Sequence, residues 1–174
     1  MYTLYNAFRY FLVYTAGMEH KKVQLKDLPE FVKRVLGVLP HKTGAATIVA
    51  LSGNLGSGKT TFTQVLAREL GVTEVVQSPT YVLMKSYPIT SPVGGKHLTK
   101  LIHIDAYRLE APEQFADLRA ETFLNDPTNL VVVEWPEKVE GVLPAPDLVL
   151  NFSANPPVGE TGDANEGERY IGGV

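Results

Sequence analysis

Gly53-Asn54-Leu55-Gly56-Ser57-Gly58-Lys59-Thr60 sets glycines, a lysine and a hydroxyl at the spacing G-x-x-x-x-G-K-[ST], and those residue types in that order handle phosphate. A glycine-rich turn lets successive backbone N–H groups converge on an anion. Gly56 and Gly58 can adopt the positive-φ or crowded backbone such a turn needs. Lys59 brings a flexible positive charge to the β- and γ-phosphates, and the Thr60 hydroxyl is a hard oxygen ligand for Mg²⁺. Asp105 and Glu134 each close an apolar run, Leu101-Ile102-His103-Ile104 and Leu130-Val131-Val132-Val133. An acid so placed can hold Mg²⁺, directly or through water, or orient the water that attacks the terminal phosphate. Either acid alone reads equally well as a helix cap or a solvated strand end. Two of them in a chain with a phosphate loop favour function.

These residues need elements that bring them together. Ala46-Thr47-Ile48-Val49-Ala50-Leu51 is apolar and β-branched, a strand leading into the loop. After it Phe62, Val65, Leu66 and Leu70 recur at helical spacing and Gly71 is placed as a C-cap. The helix aims its N-terminus at the phosphates. Upstream, Asp27-Leu28-Pro29-Glu30 opens a helix with Asp27 as cap, and Phe31, Val32, Val35, Leu36 and Leu39 share its face until Pro40. The second half of Ser78–Met84 reads as a strand, and Pro88 to Gly95 as turns. Lys100–Asp105, Leu130–Glu134 and Asp147–Phe152 read as further strands. Pro112–Leu124 reads as a helix with Phe115, Leu118 and Phe123 inward. Continuous apolar strands imply a sheet covered on both faces, and their alternation with helices implies α/β: a three-layer P-loop NTPase with a mixed, mainly parallel central sheet. Ligands of such sheets sit beyond the carboxyl ends of the strands, where Gly53, Asp105 and Glu134 all fall.

Composition bounds the rest. The 174 residues, 44% hydrophobic and 20% charged, suit one domain with a real core. A net charge of −3 gives no broad basic face for nucleic acid, so any RNA contact is local or made through a partner. Absence of cysteine excludes disulfides, thiolate zinc sites and a cysteine nucleophile. Residues 1–18 are aromatic-rich with Arg9 in their midst. They are too short and interrupted to span a bilayer and are expected to be an extension outside the fold, a membrane-surface anchor being the rival reading. The ATPase domain is expected over 19–154. Residues 155–174 are expected to be a flexible, Pro- and Gly-rich segment with a short terminal strand at Arg169-Tyr170-Ile171.

Four stretches together carry a resemblance: Gly53 to Phe62, then Ser78-Pro79-Thr80-Tyr81, then His103-Ile104-Asp105-Ala106-Tyr107-Arg108-Leu109, then Val133-Glu134-Trp135-Pro136. In order and spacing, from about Gln24 to Phe152, the chain resembles the bacterial TsaE (YjeE) family of small P-loop ATPases of tRNA threonylcarbamoyladenosine synthesis. The resemblance implies a cytoplasmic ATPase subunit that works with TsaB and TsaD, supports repeated turnover of the threonylcarbamoyl transferase TsaD, and meets tRNA through that complex. It implies ATP held by Leu55, Gly56, Ser57, Gly58, Lys59, Thr60 and Thr61 with Trp135 close by, and Mg²⁺ on Thr60 and Glu134. Asp105 would assist hydrolysis at the γ-phosphate beside Lys59, and Ser78-Pro79-Thr80-Tyr81 would be a switch segment. The helix after Arg108 departs from the family's pattern, with Arg119 where a glycine is expected.

His103 reads as structural, and Arg108 as either a phosphate-reaching arginine or a capping or ion-pairing one. His20, His41 and His97 lack metal-ligand spacing. Two other functions fit a P-loop: a small-molecule kinase, for which no Arg-rich acceptor site or lid is evident, and a nucleotide-dependent binding switch. No [NT]-K-x-D guanine-reading motif is present, which counts against a GTPase.

Overall fold

The computed structural model describes residues 21–91, 97–153 and 168–173; the expectations for 1–18 and for 155–167 fall outside the described residues. Seven strands form one sheet: β1 (Lys21–Gln24), β2 (Thr47–Gly53), β3 (Met84–Pro88), β4 (Lys100–Asp105), β5 (Asn129–Glu134), β6 (Leu148–Ser153) and β7 (Glu168–Gly173). Their order is β1-β7-β6-β2-β5-β4-β3. The four central strands β6, β2, β5 and β4 run parallel, while β3 and β7 pair antiparallel with their neighbours. Helices α1 (Leu28–Val38) and α2 (Lys59–Glu69) cover one face. The other face carries 3-10 turns at Pro112–Leu118 and Pro136–Val139 and the one-turn α3 (Glu121–Leu124). The α/β, three-layer, mainly parallel architecture follows.

The pleat decides what each face receives, because successive side chains of a strand point opposite ways. Val49 and Leu51 of β2, Leu130 and Val132 of β5 and Leu101 of β4 pack with Phe31, Phe62 and Leu66 of α1 and α2. Ile48, Val131, Val133, Ile102 and Ile104 pack with Phe115, Phe123 and Val139 on the other side. Counting by two from Leu101 and Leu130 puts His103, Asp105 and Glu134 on the face of α2. Phe62 fixes that helix laterally, meeting Phe31 and Phe152 edge-on with ring centroids 6.3 and 5.7 Å apart.

Several local expectations change. Asp27 accepts no capping hydrogen bond; α1 instead follows a 3-10 turn at Leu25–Asp27, with Pro29 in its first turn. The strand expected in the second half of Ser78–Met84 starts only at Met84 and runs to Pro88. Leu83 is left-handed, with φ 63°, which breaks an extended backbone just before it, and Pro88 is tolerated because β3 is an edge strand. The helix expected over Pro112–Leu124 is two pieces, interrupted at Arg119 with φ 51° and ψ 51°. That left-handed residue is where glycine was anticipated, and an L side chain there carries strain. Leu118, expected inward, is only half-buried. β1 carried no signal in the sequence strong enough to be assigned. Gly71 does terminate α2 at φ 74°, and a Cβ there would lie 2.4 Å from Ser91 Oγ.

Candidate active site

The loop between β2 and α2 uses its glycines as backbone. Gly53, Gly56 and Gly58 have φ of 136°, 77° and 104°. At Gly53 a Cβ would stand 2.3 Å from the Phe152 carbonyl oxygen, so no larger residue fits between the loop and β6. Gly58 is the N-cap of α2, leaving the first-turn N–H groups pointed into the loop. Ser57 is buried and, among the described residues, its Oγ has no partner.

Lys59 folds back on this loop, donating to the carbonyl oxygens of Gly53 (2.6 Å) and Asn54 (2.9 Å). Its Nζ sits 4.1 Å from the centroid of the Trp135 ring. Burial lowers its pKa below the ordinary 10.5, against the opposing pull of Glu134, Glu137 and Asp105. A lysine held by backbone carbonyls and an aromatic face, with acids near but not bonded to it, is available to an anion entering the loop.

Glu134 ends β5 and is buried. Its Oε2 accepts from the Thr60 hydroxyl at 3.1 Å and its Oε1 contacts His103 Nε2 at 2.8 Å. His103 is itself fully buried and, among the described residues, its Nδ1 has no partner; a carboxylate only accepts, so Nε2 is assigned as the donor. Asp105 lies opposite Glu134 in register across β4 and β5. Its Oδ2 accepts from Ser78 Oγ (2.6 Å) and from Thr80 Oγ1, and its Oδ1 from the Tyr107 N–H (3.0 Å). Tyr107 in turn stands 5.1 Å from Trp135, ring to ring, and Trp135 takes a left-handed backbone, φ 60°, that turns the chain out of β5.

One cleft gathers Leu55, Gly56, Gly58, Lys59, Thr60, Thr61, Ser78, Thr80, Asp105, Glu134 and Trp135 along its wall, with Tyr107. Ser57 lies beneath the loop. Pro79 and Tyr81 do not line the cleft, and Tyr81 is highly exposed, with the Arg108 guanidinium 4.3 Å from its ring centroid. Arg108 therefore stacks on Tyr81. The residue that sequence reasoning undervalued is His103. Its signal was the period-two alternation that puts it on the face of Asp105 and Glu134, read across the register of β4 and β5.

Among the described residues, no group of three or more His, Cys, Asp or Glu side chains converges as a metal cage. A Mg²⁺ ion does not require one: it keeps waters and substrate phosphates and takes one or two protein oxygens. The hydroxyl and carboxylate at Thr60 and Glu134, bonded to each other on the wall of the cleft, fit a magnesium–phosphate group. Among the described residues, no helix is long and apolar enough to cross a membrane.

Strand, glycine loop, helix N-terminus and strand-end acids on one face define a P-loop NTPase. Residues 24–160 match the family described as threonylcarbamoyl adenosine biosynthesis protein TsaE, and the chain belongs to the TsaE family. Its relatives include proteins named tRNA threonylcarbamoyladenosine biosynthesis protein TsaE from Haemophilus influenzae and Streptomyces coelicolor. The first is 36% identical over 115 residues, 66% of this chain and 68% of that one. The second is 40% identical over 121 residues, 68% and 75%. A Bacillus subtilis relative of the same name is 32% identical over 122 residues, 70% and 71%. The crystal structure of Bacillus subtilis YdiB aligns with a TM-score of 0.55 at 24% identity, covering 88% of this chain and 84% of that one, a likeness of fold.

Proposed function

We propose that this chain is the ATP-hydrolysing subunit of the tRNA threonylcarbamoyladenosine machinery, a cytoplasmic partner of TsaB and TsaD that meets tRNA through them. Family membership supplies the pathway, since the relatives carry it in their names. The observation that carries the chemistry is the convergence of Lys59, the bonded Thr60–Glu134 pair and Asp105 on one cleft.

ATP enters with its β- and γ-phosphates on the loop amides. Lys59 exchanges the carbonyls of Gly53 and Asn54 for phosphate oxygens. Thr60 and Glu134 would hold Mg²⁺, which would supply charge neutralisation at the phosphates. Asp105 gives up the Ser78 and Thr80 hydroxyls and accepts a hydrogen bond from water. The water oxygen forms a bond to the γ-phosphorus as the bond to the bridging oxygen breaks; ADP leaves with the electron pair, and Asp105 takes the proton. Asp105 Oδ2 is bonded to Ser78 and Thr80, so movement of segment 78–81 would free that oxygen for water, which suits a switch that responds to nucleotide.

The test is ATP hydrolysis by the purified chain, alone and with TsaB and TsaD of the same organism. Stimulation by the pair that is lost in Lys59→Ala is the expected result. Hydrolysis unaffected by Lys59→Ala refutes the site, and hydrolysis indifferent to TsaB and TsaD refutes the pathway role.

A further inference from the structure

The candidate active site occupies the carboxyl ends of the parallel strands β2, β5 and β4. At their amino ends a second cavity, of about 210 Å³, opens between three loops: residues 40–43 before β2, 97–98 before β4 and 127–128 before β5. β2 is seven residues long, so roughly 20 Å of strand separates this cavity from the phosphate loop.

Its polar wall is cationic and rich in donors: His41, Lys42 and His97, with the hydroxyls of Thr43 and Thr47. Among the described residues no carboxylate lines it, and the two acids bonded to its wall are committed. Asp147 holds the Lys42 ammonium at 2.9 Å and also accepts from the Ile48 N–H. Asp126 accepts from the N–H and the hydroxyl of Thr128. An ammonium has three donors and Asp147 takes one, so Lys42 is fixed at the wall with donors to spare. Among the described residues neither imidazole, nor the hydroxyl of Thr43 or Thr47, has a hydrogen-bond partner.

From this we infer that the cavity binds a phosphate ester. Imidazole donates an N–H whether neutral or charged, and hydrogen bonds from such donors and an ammonium to an anionic oxygen are the strong kind. A hard metal cation would meet the Lys42 ammonium and find no free carboxylate. Pro40, Leu98 and Pro127 complete the wall with apolar surface, which suits the carbon skeleton of an ester better than a bare ion. With a net charge of −3, the chain grips phosphate at a built site in place of a broad basic face. The same contacts serve a small phosphorylated metabolite and a phosphate of a nucleic-acid strand. The site is independent of the nucleotide proposed at Lys59.

The probes are ribose 5-phosphate, unphosphorylated ribose and a short RNA hairpin, each titrated at fixed pH into full-length protein with isotope-labelled histidine. The imidazole signals of His41 and His97 should move together with ribose 5-phosphate and stay in place with ribose. Binding of the same probe at the phosphate loop is read separately at the Gly56 and Gly58 amides, and Lys59→Ala should weaken that response alone. His41→Ala and His97→Ala replace exposed side chains. Each should weaken the response of the remaining imidazole about 10-fold, the worth of one hydrogen bond to a charged group, with ATP hydrolysis unchanged. Where ribose 5-phosphate binds, a hairpin that moves both imidazoles at lower concentration assigns the phosphate to a nucleic-acid strand, and a hairpin without effect assigns it to a small metabolite. The inference is overturned if neither phosphate ester moves the imidazoles, if ribose moves them as far, or if the alanine variants bind as tightly as the wild type.

Discussion

His103→Leu removes one hydrogen-bond donor from the interior and keeps most of the volume. The wild-type contact is 2.8 Å long, between a fully buried ring and a carboxylate that is 2% exposed. A hydrogen bond to a charged group in such a place is worth about 1.5–3 kcal/mol. In a chain of this size each kcal/mol moves the melting temperature by roughly 2–4 °C, so a fall of about 3–12 °C is expected. The functional consequence is separable from the thermal one. Without Nε2, the Glu134 carboxylate keeps only the Thr60 hydroxyl and is free to rotate, so its oxygens are no longer pre-aimed at the magnesium position proposed above. Loss of a group that orients a metal ligand typically costs about 10- to 100-fold in metal affinity. The half-saturating Mg²⁺ concentration for ATP hydrolysis should rise by that factor, with the rate largely recovered at saturation. His103→Gln, which retains an N–H donor, should recover part of the Mg²⁺ response. The assay is hydrolysis across a Mg²⁺ titration at fixed ATP, beside a melting curve for each variant. A lower melting temperature with an unmoved Mg²⁺ midpoint would show that His103 is a core residue and no more.

Asp105→Asn keeps the shape of a group bonded to Ser78, Thr80 and Tyr107 but removes its charge. Hydrolysis should fall by about 10²–10⁴-fold if the residue is the base, whereas Ser78→Ala with Thr80→Val should release segment 78–81 and spare the chemistry; a single-turnover rate for each distinguishes them. Lys59 is held neutral more readily in the fold than in the unfolded chain. Between its lowered folded value and 10.5 the unfolded state binds more protons, so stability rises with pH across that window. Urea unfolding should accordingly show the wild type gaining on Lys59→Met as pH climbs toward 10.5, and parallel pH profiles would contradict the burial cost. Arg119 is exposed and left-handed; Arg119→Gly relieves a strain of about 1 kcal/mol, partly offset by unfolded-state entropy, and should hold or raise the melting temperature, a clear fall being the opposing result.

Much of the chemistry was legible along the chain because it is local. The loop is eight consecutive residues flanked by a β-branched run and a helical repeat, and its glycines take a backbone geometry that neighbours in sequence dictate, carrying the side chains of Lys59 and Thr60 with it. Asp105 and Glu134 were legible as acids at strand ends because the apolar runs before them are long enough to be buried on both faces. Arg119 was legible as an oddity, and its left-handed backbone gives the reason. What lay beyond reach depends on residues far apart. The bond from His103 to Glu134 needs the parallel register of β4 against β5, and a slip of one residue would put His103 on the opposite face. The hydroxyls of Ser78 and Thr80 reach Asp105 only because the backbone turns left-handed at Leu83 and delays β3, a choice made by tertiary contacts over an apolar segment that by itself favours a strand. Pairing of β1 with β7 joins residues nearly 150 positions apart, and short strands at chain ends carry too little periodicity to announce a partner. Sequence alone determined which groups could meet phosphate; the register and order of seven strands decided which of them meet one another, because hydrogen bonds between strands are set by position in space and leave no mark on local spacing.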